Sequence, residues 1–453
     1  MIFRRHTKAL AVALLAGTAS AIELNINDEQ SIKNAAATAA YNTWSEYTTN
    51  QTGQPPGAIR TDWAMGGALF DTMIRYWYYS GDASNNAAIS EGMYWQLGEN
   101  NDYMPANWSS YLGNDDQSIW SLAAMTAAEL GYPERSSMPS WVTIAENVFN
   151  DQIARWDTKT CSGGLRWQIW TYESGYNIKS TLANGLLFEL SARLARYTNN
   201  QTYSDWADKI WTWSTDTLIS DEWSVSNDVD VEDDCGTAGN TQWSFNYGPY
   251  IAGTAYMYNL TNGKSEWKTN LDGLLKRTTA TFFPSKYGGK ILSEVACEST
   301  ESCNNNEIWL KGATVQDLAM AALVAPYTAS DIMPLLQGSA VGAAKSCTGD
   351  KNNTECGVKW YAAYDDSDGM PSQLSATSLF TANLVSFSKK AASVQSASTN
   401  TTSVTSTGSA NGTDPGSSSS AGATQTGTNA ASVLVVGPVA FVAAVIAGAV
   451  AWL

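Results

Sequence analysis

The chain has 453 residues, a formal net charge of −17 from 43 acidic and 26 basic residues, and one histidine. Such an acidic chain repels polyanions, so neither nucleic acid nor an anionic lipid surface is an expected partner. The histidine is His6, in a leader, so the rest of the chain lacks imidazole; this excludes Ser-His-Asp and Cys-His nucleophiles, His-ligated zinc and histidine bases, and leaves proton transfer to carboxylates.

Residues 1–21 have the pattern of a secretory signal peptide. Arg4, Arg5 and Lys8 precede an apolar stretch, and Ala19-Ser20-Ala21 follows as a cleavage site. The folded body is expected to span 22–390. Within it, turns recur at Tyr79-Ser80-Gly81, Leu130-Gly131-Tyr132, Tyr197-Thr198-Asn199, Tyr258-Asn259-Leu260 and Pro326-Tyr327-Thr328, a spacing of 51 to 68 residues. Each turn joins a helix that is apolar on several faces to a more amphipathic one. The first set is predicted near 64–79, 115–130, 179–197, 241–259, 307–325 and 373–389. The second is predicted near 29–48, 85–99, 138–156, 203–218, 264–282 and 328–346. Helices apolar on most faces are buried, so six inner and six outer helices imply an all-α fold, an α/α toroid of six helical hairpins.

Parallel inner helices share one mouth. The residues placed there are Asp62-Trp63, Asn114-Asp115-Asp116, Tyr176 to Lys179, Gln242 to Tyr247, Glu307 to Lys311 and Met370 to Gln373. Trp63, Asn114, Trp120, Lys179, Gln242, Trp243, Asn246 and Tyr247 are the candidate sugar-binding residues, since aromatic faces stack on pyranose rings and amides bond hydroxyls. Long loops precede three of these helices, at 98–113, 157–176 and 220–241.

The chemistry is sought at Asp115 and Asp116. Glycoside cleavage needs one carboxyl to protonate the leaving oxygen and a second to attack the anomeric carbon or activate water, and retaining enzymes hold the two roughly 5 Å apart. Neighbouring aspartates at a helix start meet that need, and their mutual repulsion separates their pKa values. A structural reading competes: Asn114 with Gln117 resembles a capping box, and aspartate in a first turn suits the helix dipole. The acidic run Asp228 to Asp234 superficially resembles a calcium loop, but it lacks glycine at the sixth position and a closing glutamate. No metal or cofactor is expected.

Six cysteines, Cys161, Cys235, Cys297, Cys303, Cys347 and Cys356, imply three disulfides in a secreted chain. Sequence leaves their connectivity open, although short separations favour 297–303 and 347–356, leaving 161–235. Sequons stand at Asn50, Asn107, Asn200, Asn259, Asn352, Asn400 and Asn411. Residues 391–429 are rich in Ser, Thr, Ala and Gly and read as a glycosylated stalk. The apolar 430–453 reads as a GPI-attachment signal, which places the protein at the cell surface, bound to the membrane or wall through a lipid anchor only.

Four segments carry a family likeness: Gly113-Asn114-Asp115-Asp116-Gln117, Asn184 to Arg196, Gln242 to Gly248, and Cys356-Gly357-Val358-Lys359-Trp360. Together they resemble the fungal GPI-anchored branch of glycoside hydrolase family 76, the endo-α-1,6-mannanases of cell-wall assembly. The resemblance implies the toroid, an α-1,6-linked mannose substrate, Asp115 as nucleophile, Asp116 as acid/base, and retention of configuration. For the anchored branch it implies transfer of GPI-linked mannoproteins onto wall glucan. Asn304 to Trp309 departs from the family's basic, aromatic stretch and leaves the role of Lys311 open. Two rival expectations stand beside the enzyme: a glycan-binding wall glycoprotein without turnover, and a structural mannoprotein whose aspartates only cap helices.

Overall fold

A computed structural model describes residues 21–49, 53–59, 62–236, 241–349, 352–367 and 369–388. The expected leader up to residue 20, the 391–429 stalk, the 430–453 tail, and the sequons Asn50, Asn400 and Asn411 lie outside the described residues.

Twelve α-helices are described. The outer set is α1 (Glu29–Glu46), α3 (Asn86–Trp95), α5 (Trp141–Ala154), α7 (Gln201–Thr217), α9 (Ser265–Phe282) and α11 (Ala329–Ser346); the inner set is α2 (Trp63–Ser80), α4 (Asn114–Leu130), α6 (Thr181–Thr198), α8 (Ser244–Leu260), α10 (Asn305–Val324) and α12 (Met370–Asn383). Each inner helix packs on the next and α12 packs on α2, so the inner ring closes. The outer helices lean on it, α1 on α12, α5 on α4 and α6, α11 on α10 and α12. This is the all-α toroid of six hairpins that the periodicity implies.

Local chemistry sets the helix ends. Asp62, Ser140 and Ser180 accept from the backbone N–H groups of Met65, Thr143 and Ala183, capping α2, α5 and α6. Gly81, Gly131 and Asn199 end α2, α4 and α6 in the left-handed region, where glycine and asparagine carry the smallest steric penalty. Inner helices approach closely through small residues. A Cβ on Gly67 would sit 2.9 Å from Cγ of Trp120, so only glycine lets α2 meet that indole.

The inner helices are not purely apolar. Arg193 of α6 is buried and bonds Glu129 of α4 at 2.7 Å, Glu189 at 3.0 Å and Thr126 at 2.8 Å. Arg75 of α2 reaches the same Thr126 at 2.9 Å and its own Asp71 at 2.8 Å. Tyr256 of α8 donates to Glu129 at 3.0 Å. One connected set of polar groups therefore ties α2, α4, α6 and α8 together inside the toroid.

Two short sheets depart from the all-helical expectation. The helix predicted from 179 starts at Thr181, because Ile178–Ser180 (β1) pairs antiparallel with Asp228–Asp230 (β2). Cys347–Gly349 (β3) pairs with Glu355–Cys356 (β4) across the Cys347–Cys356 disulfide. The other disulfides are Cys161–Cys235 and Cys297–Cys303. Asn107, Asn200 and Asn352 are exposed. Asn259 is half-buried; its amide donates to the Val324 carbonyl at 2.7 Å and its oxygen accepts from Arg196 at 2.8 Å, so a glycan there would have to displace an interhelix contact.

Candidate active site

The first turns of the inner helices meet at one end of the ring. The Asp62 carboxylate, capping α2, accepts from the Trp309 indole of α10 at 2.9 Å, and the Ser375 hydroxyl of α12 donates to the Ile308 carbonyl of α10 at 2.8 Å. An axial cavity of about 60 Å³ begins at Leu182, Phe245 and Trp309 and ends at Arg75, Arg193 and Asp317, with all six inner helices contributing to its wall.

Asp115 and Asp116 open α4 at this mouth, half-buried, enclosed by protein yet reached by solvent. Gly113, not Asn114, is the N-cap. The Asp116 carboxylate reaches back to accept from the Gly113 N–H at 2.8 Å, and Asp115 accepts from the Asp116 N–H at 3.1 Å. A Cβ on Gly113 would lie 2.3 Å from the Asp115 carboxylate and 3.3 Å from the Trp167 indole nitrogen, so any side chain here would displace the Asp115 carboxylate. Trp167 comes from the 157–176 loop, which is stitched to the helix start: the Asn114 N–H donates to the Trp167 carbonyl at 2.8 Å and Gly113 bridges Gln168.

The electrostatics separate the pair. Burial raises Asp115 to about 6, against hydrogen bonds from two backbone N–H groups and the Trp167 indole that favour its charge. Burial and the Asp115 charge hold Asp116 well above the carboxylate range, with only the Gly113 N–H acting the other way. Asp62, itself raised by burial, adds negative potential to both. The Asp116 carboxyl is thus made to hold its proton more tightly than the Asp115 carboxyl beside it.

The other candidate residues divide. Trp63 and Trp120 are corrected as sugar-stacking residues. They are buried against one another, centroids 5.0 Å apart, and their N–H groups are committed to Gln96 and the Trp63 carbonyl. Asn114 is buried and pins the neighbouring loop, donating to the Arg166 carbonyl at 2.9 Å and accepting from Arg155 at 2.9 Å. Lys179 is also buried. Its ammonium, pulled down to about 8 by burial, bonds the Asp157, Thr160 and Gly163 carbonyls inside the loop closed by Cys161–Cys235. These four side chains are structural, because each is buried with its polar atoms committed to protein partners. Asn246 and Tyr247 are buried; Asn246 bonds Asn227 at 3.0 Å, while the Tyr247 hydroxyl donates to Gln242 and accepts from the Val225 N–H. Gln242 and Trp243 remain half-exposed, Trp243 stacked on Phe245 with centroids 5.7 Å apart. Lys311, whose role the sequence left open, is buried on Glu298 at 2.7 Å. Asp230 caps a short turn by accepting from the Glu232 N–H, and Asp365 accepts from the Val358 and Lys359 N–H groups.

Sequence reasoning placed Asp62 and Trp309 at the mouth without pairing them, and it missed Trp167. Asp62 had a legible signal, a cap residue before an apolar helix. Trp167 had none, since its loop has no periodicity.

An α/α toroid with two adjacent aspartates opening one inner helix at its mouth is a scaffold suited to carbohydrate cleavage. The sequence profile of glycosyl hydrolase family 76 matches residues 31–396, and the chain belongs to that family; it is a glycoside hydrolase. It is 38% identical over 386 residues to mannan endo-1,6-alpha-mannosidase DCW1 of Saccharomyces cerevisiae, covering 83% of this chain and 84% of the relative. It is 36% identical over 368 residues to mannan endo-1,6-alpha-mannosidase DFG5 of Candida albicans, covering 79% and 80%. The crystal structure of Dfg5 from Chaetomium thermophilum in complex with glucosamine superposes with a TM-score of 0.77 at 35% identity, over 81% of this chain and 93% of the other. An α-1,6-mannanase of Salegentibacter, solved as an inactive variant with two consecutive aspartates replaced and in complex with α-1,6-mannotetrose, superposes at a TM-score of 0.63; at 17% identity, over 78% and 98%, it shows the shared fold.

Proposed function

We propose that the chain is a retaining endo-α-1,6-mannosidase or transglycosylase working through Asp115 and Asp116. The observation that carries this is the split pair at the mouth, an Asp115 carboxyl at about 6 beside an Asp116 carboxyl held well higher. Asp116 gives its proton to the glycosidic oxygen while the Asp115 carboxylate attacks the anomeric carbon; the C–O bond to the leaving sugar breaks and a glycosyl ester forms. Asp116, now a carboxylate, takes a proton from water or an acceptor hydroxyl, whose oxygen attacks the same carbon and frees Asp115. The α-1,6-mannose specificity is supported by the names of the fungal relatives. Trp243, Phe245 and Gln242 are the mouth residues proposed to meet the sugar.

The finer reading is that the mannose belongs to the core of GPI-linked mannoproteins, that a wall glucan serves as acceptor, and that the enzyme is held at the cell surface by its own lipid anchor.

The Asp116 bond to the Gly113 N–H keeps the capping reading alive, because that bond stabilises the helix whether or not chemistry occurs. The experiment that separates them is mass spectrometry of products from a short α-1,6-mannose oligomer. Wild type is expected to shorten it, or to move mannosyl groups onto an added acceptor. Asp115→Asn and Asp116→Asn are each expected to lose turnover by a thousandfold or more while staying folded. Turnover retained in both variants overturns the assignment.

A further inference from the structure

The start of α8 carries two half-exposed rings, Trp243 and Phe245, with the buried Ser244 between them. The rings lie within 16° of parallel. No local side chain caps this helix: Trp243 is its N-cap residue and accepts no hydrogen bond. The Ser244 N–H is met instead from a distant segment. Both oxygens of the Glu294 carboxyl accept from it at 3.1 Å, and the Ser244 hydroxyl donates to the same group. That hydroxyl also meets the Thr314 hydroxyl of α10 at 3.1 Å. A buried N–H at a helix start costs free energy unless it finds an acceptor. Glu294 supplies that acceptor at the one residue that separates the two rings.

Glu294 is itself fixed. It is 1% exposed, so it touches no sugar, and it belongs to the segment between α9 and α10. Its N–H donates to Glu298 at 3.0 Å. Glu298, also buried, accepts from the Ser293 hydroxyl at 2.9 Å and from the Lys311 ammonium of α10 at 2.7 Å. Lys311 donates in turn to the Val358 carbonyl and stands 3.8 Å from the centre of the Trp360 ring. The Cys297–Cys303 disulfide closes the turn that follows Glu294. Burial raises the Glu294 carboxyl to about 8, against the two Ser244 donors. At pH 6 it is therefore a neutral acid, and it acts on Ser244 through shape and hydrogen bonds rather than charge. We propose that Glu294 is a positioning residue of this enzyme, which holds Ser244 and thereby sets the angle at which Trp243 and Phe245 meet the substrate. This rests on the proposed sugar-facing role of those two rings. Asp115 and Asp116 stand on a different helix, α4, so loosening Ser244 is expected to cost binding and to spare the chemical step.

Calorimetric titration with α-1,6-mannotriose at pH 6, with kcat and KM on a longer α-1,6-mannose oligomer, tests it. Glu294→Gln copies the neutral acid: its amide oxygen still accepts from the Ser244 N–H and its amide N–H reaches the hydroxyl. It is expected to keep Kd and KM within about twofold of wild type. Glu294→Leu fills the space but makes neither bond. It is expected to raise Kd and KM tenfold or more, with kcat within about threefold and both limbs of the pH profile in place. Glu294→Asp draws the carboxyl back by one methylene and is expected to raise both in the same way, which keeps the test available if the leucine variant does not fold. Unchanged binding in the leucine and aspartate variants overturns the positioning role. So does a glutamine variant as weak as the leucine one, or a fall in kcat at constant KM. Trp243→Ala separates this from the reading beneath it. Weakened binding there beside normal binding in Glu294→Leu and Glu294→Asp overturns the role of Glu294 alone. Unchanged binding in Trp243→Ala, or no mannotriose binding by wild type, overturns the sugar-facing reading and the positioning role with it.

Discussion

Asp115 and Asp116 are costly to bury together, and that cost gives their chemistry a pH signature. In the proposed mechanism Asp115 is ionised to attack and Asp116 keeps its proton to donate it. Activity should therefore rise as pH passes about 6 and fall when Asp116 ionises at higher pH; the two limbs belong to the coupled pair rather than to either residue. The stability consequence has the same origin. Both carboxyls are raised in the folded state, so their protonation stabilises the fold below the ordinary value of 3.8; the Asp115 share is lost as pH rises through about 6 and the Asp116 share at higher pH. Asparagine at 115 cannot ionise. Asp115→Asn should thus melt higher than wild type at pH 7.5 and nearly level with it at pH 4, while losing turnover at both. A variant that melts no higher at pH 7.5 would show that the pair is not strained by its burial. The pair itself was legible, because adjacent acids at a helix start in a chain without catalytic histidine leave few other proton carriers. Which aromatics faced the sugar was not. Trp63 and Trp120 share the mouth's sequence neighbourhood, but their rings turn into the wall, where Gly66 and Gly67 make room for Trp120.

At the scale of the helix, the inner ring is held by more than apolar packing. The segment Asn184 to Arg196 contains Glu189 and Arg193 in the middle of an otherwise apolar helix, and both are buried. Burial raises Glu189 to about 7, against the pull of Arg193. Arg193 is therefore the indispensable member: Arg193→Met would leave Glu129 without its 2.7 Å cation. Removing one partner of a buried pair costs about 3–5 kcal/mol. Urea unfolding at pH 7 should show a loss of that order for Arg193→Met and a smaller one for Glu189→Gln, whose wild-type carboxyl is already partly protonated. Equal losses would mean that Glu189 is fully ionised in the fold. The helices were readable because turn residues such as Gly81, Gly131 and Asn199 punctuate them. The polar bonds between them were not, since α4 and α6 meet through Glu129 and Arg193, 64 residues apart, and no local pattern announces that pairing.

Across the whole molecule, the closed ring sets where the carboxylates stand, while the loops above it decide what surrounds them. The Cys161–Cys235 disulfide joins the 157–176 loop to the segment after α7, across a separation of 74 residues. Beneath it, the Lys179 ammonium gathers the carbonyls of the same loop, and Asp157 holds Arg166 at 2.9 Å. Arg166 precedes Trp167, whose indole helps to keep Asp115 charged. The disulfide is thus connected to Asp115 through an unbroken series of contacts, although it lies outside the helices that build the ring. Opening a loop of this length removes about 4 kcal/mol of stability in the chain-entropy account. If entropy of the unfolded chain were its whole role, Cys161→Ser with Cys235→Ser would lower the melting temperature and leave turnover normal well below it. The contacts argue for a second effect: at 20 °C, with the double variant still folded, kcat/KM on an α-1,6-mannose oligomer should fall about tenfold and the acid limb of its pH profile should move up, because Asp115 loses a donor that favours its ionised form. An unshifted limb with unchanged kcat/KM would assign the loop's position to its backbone pairing with Gly113 and Asn114 alone.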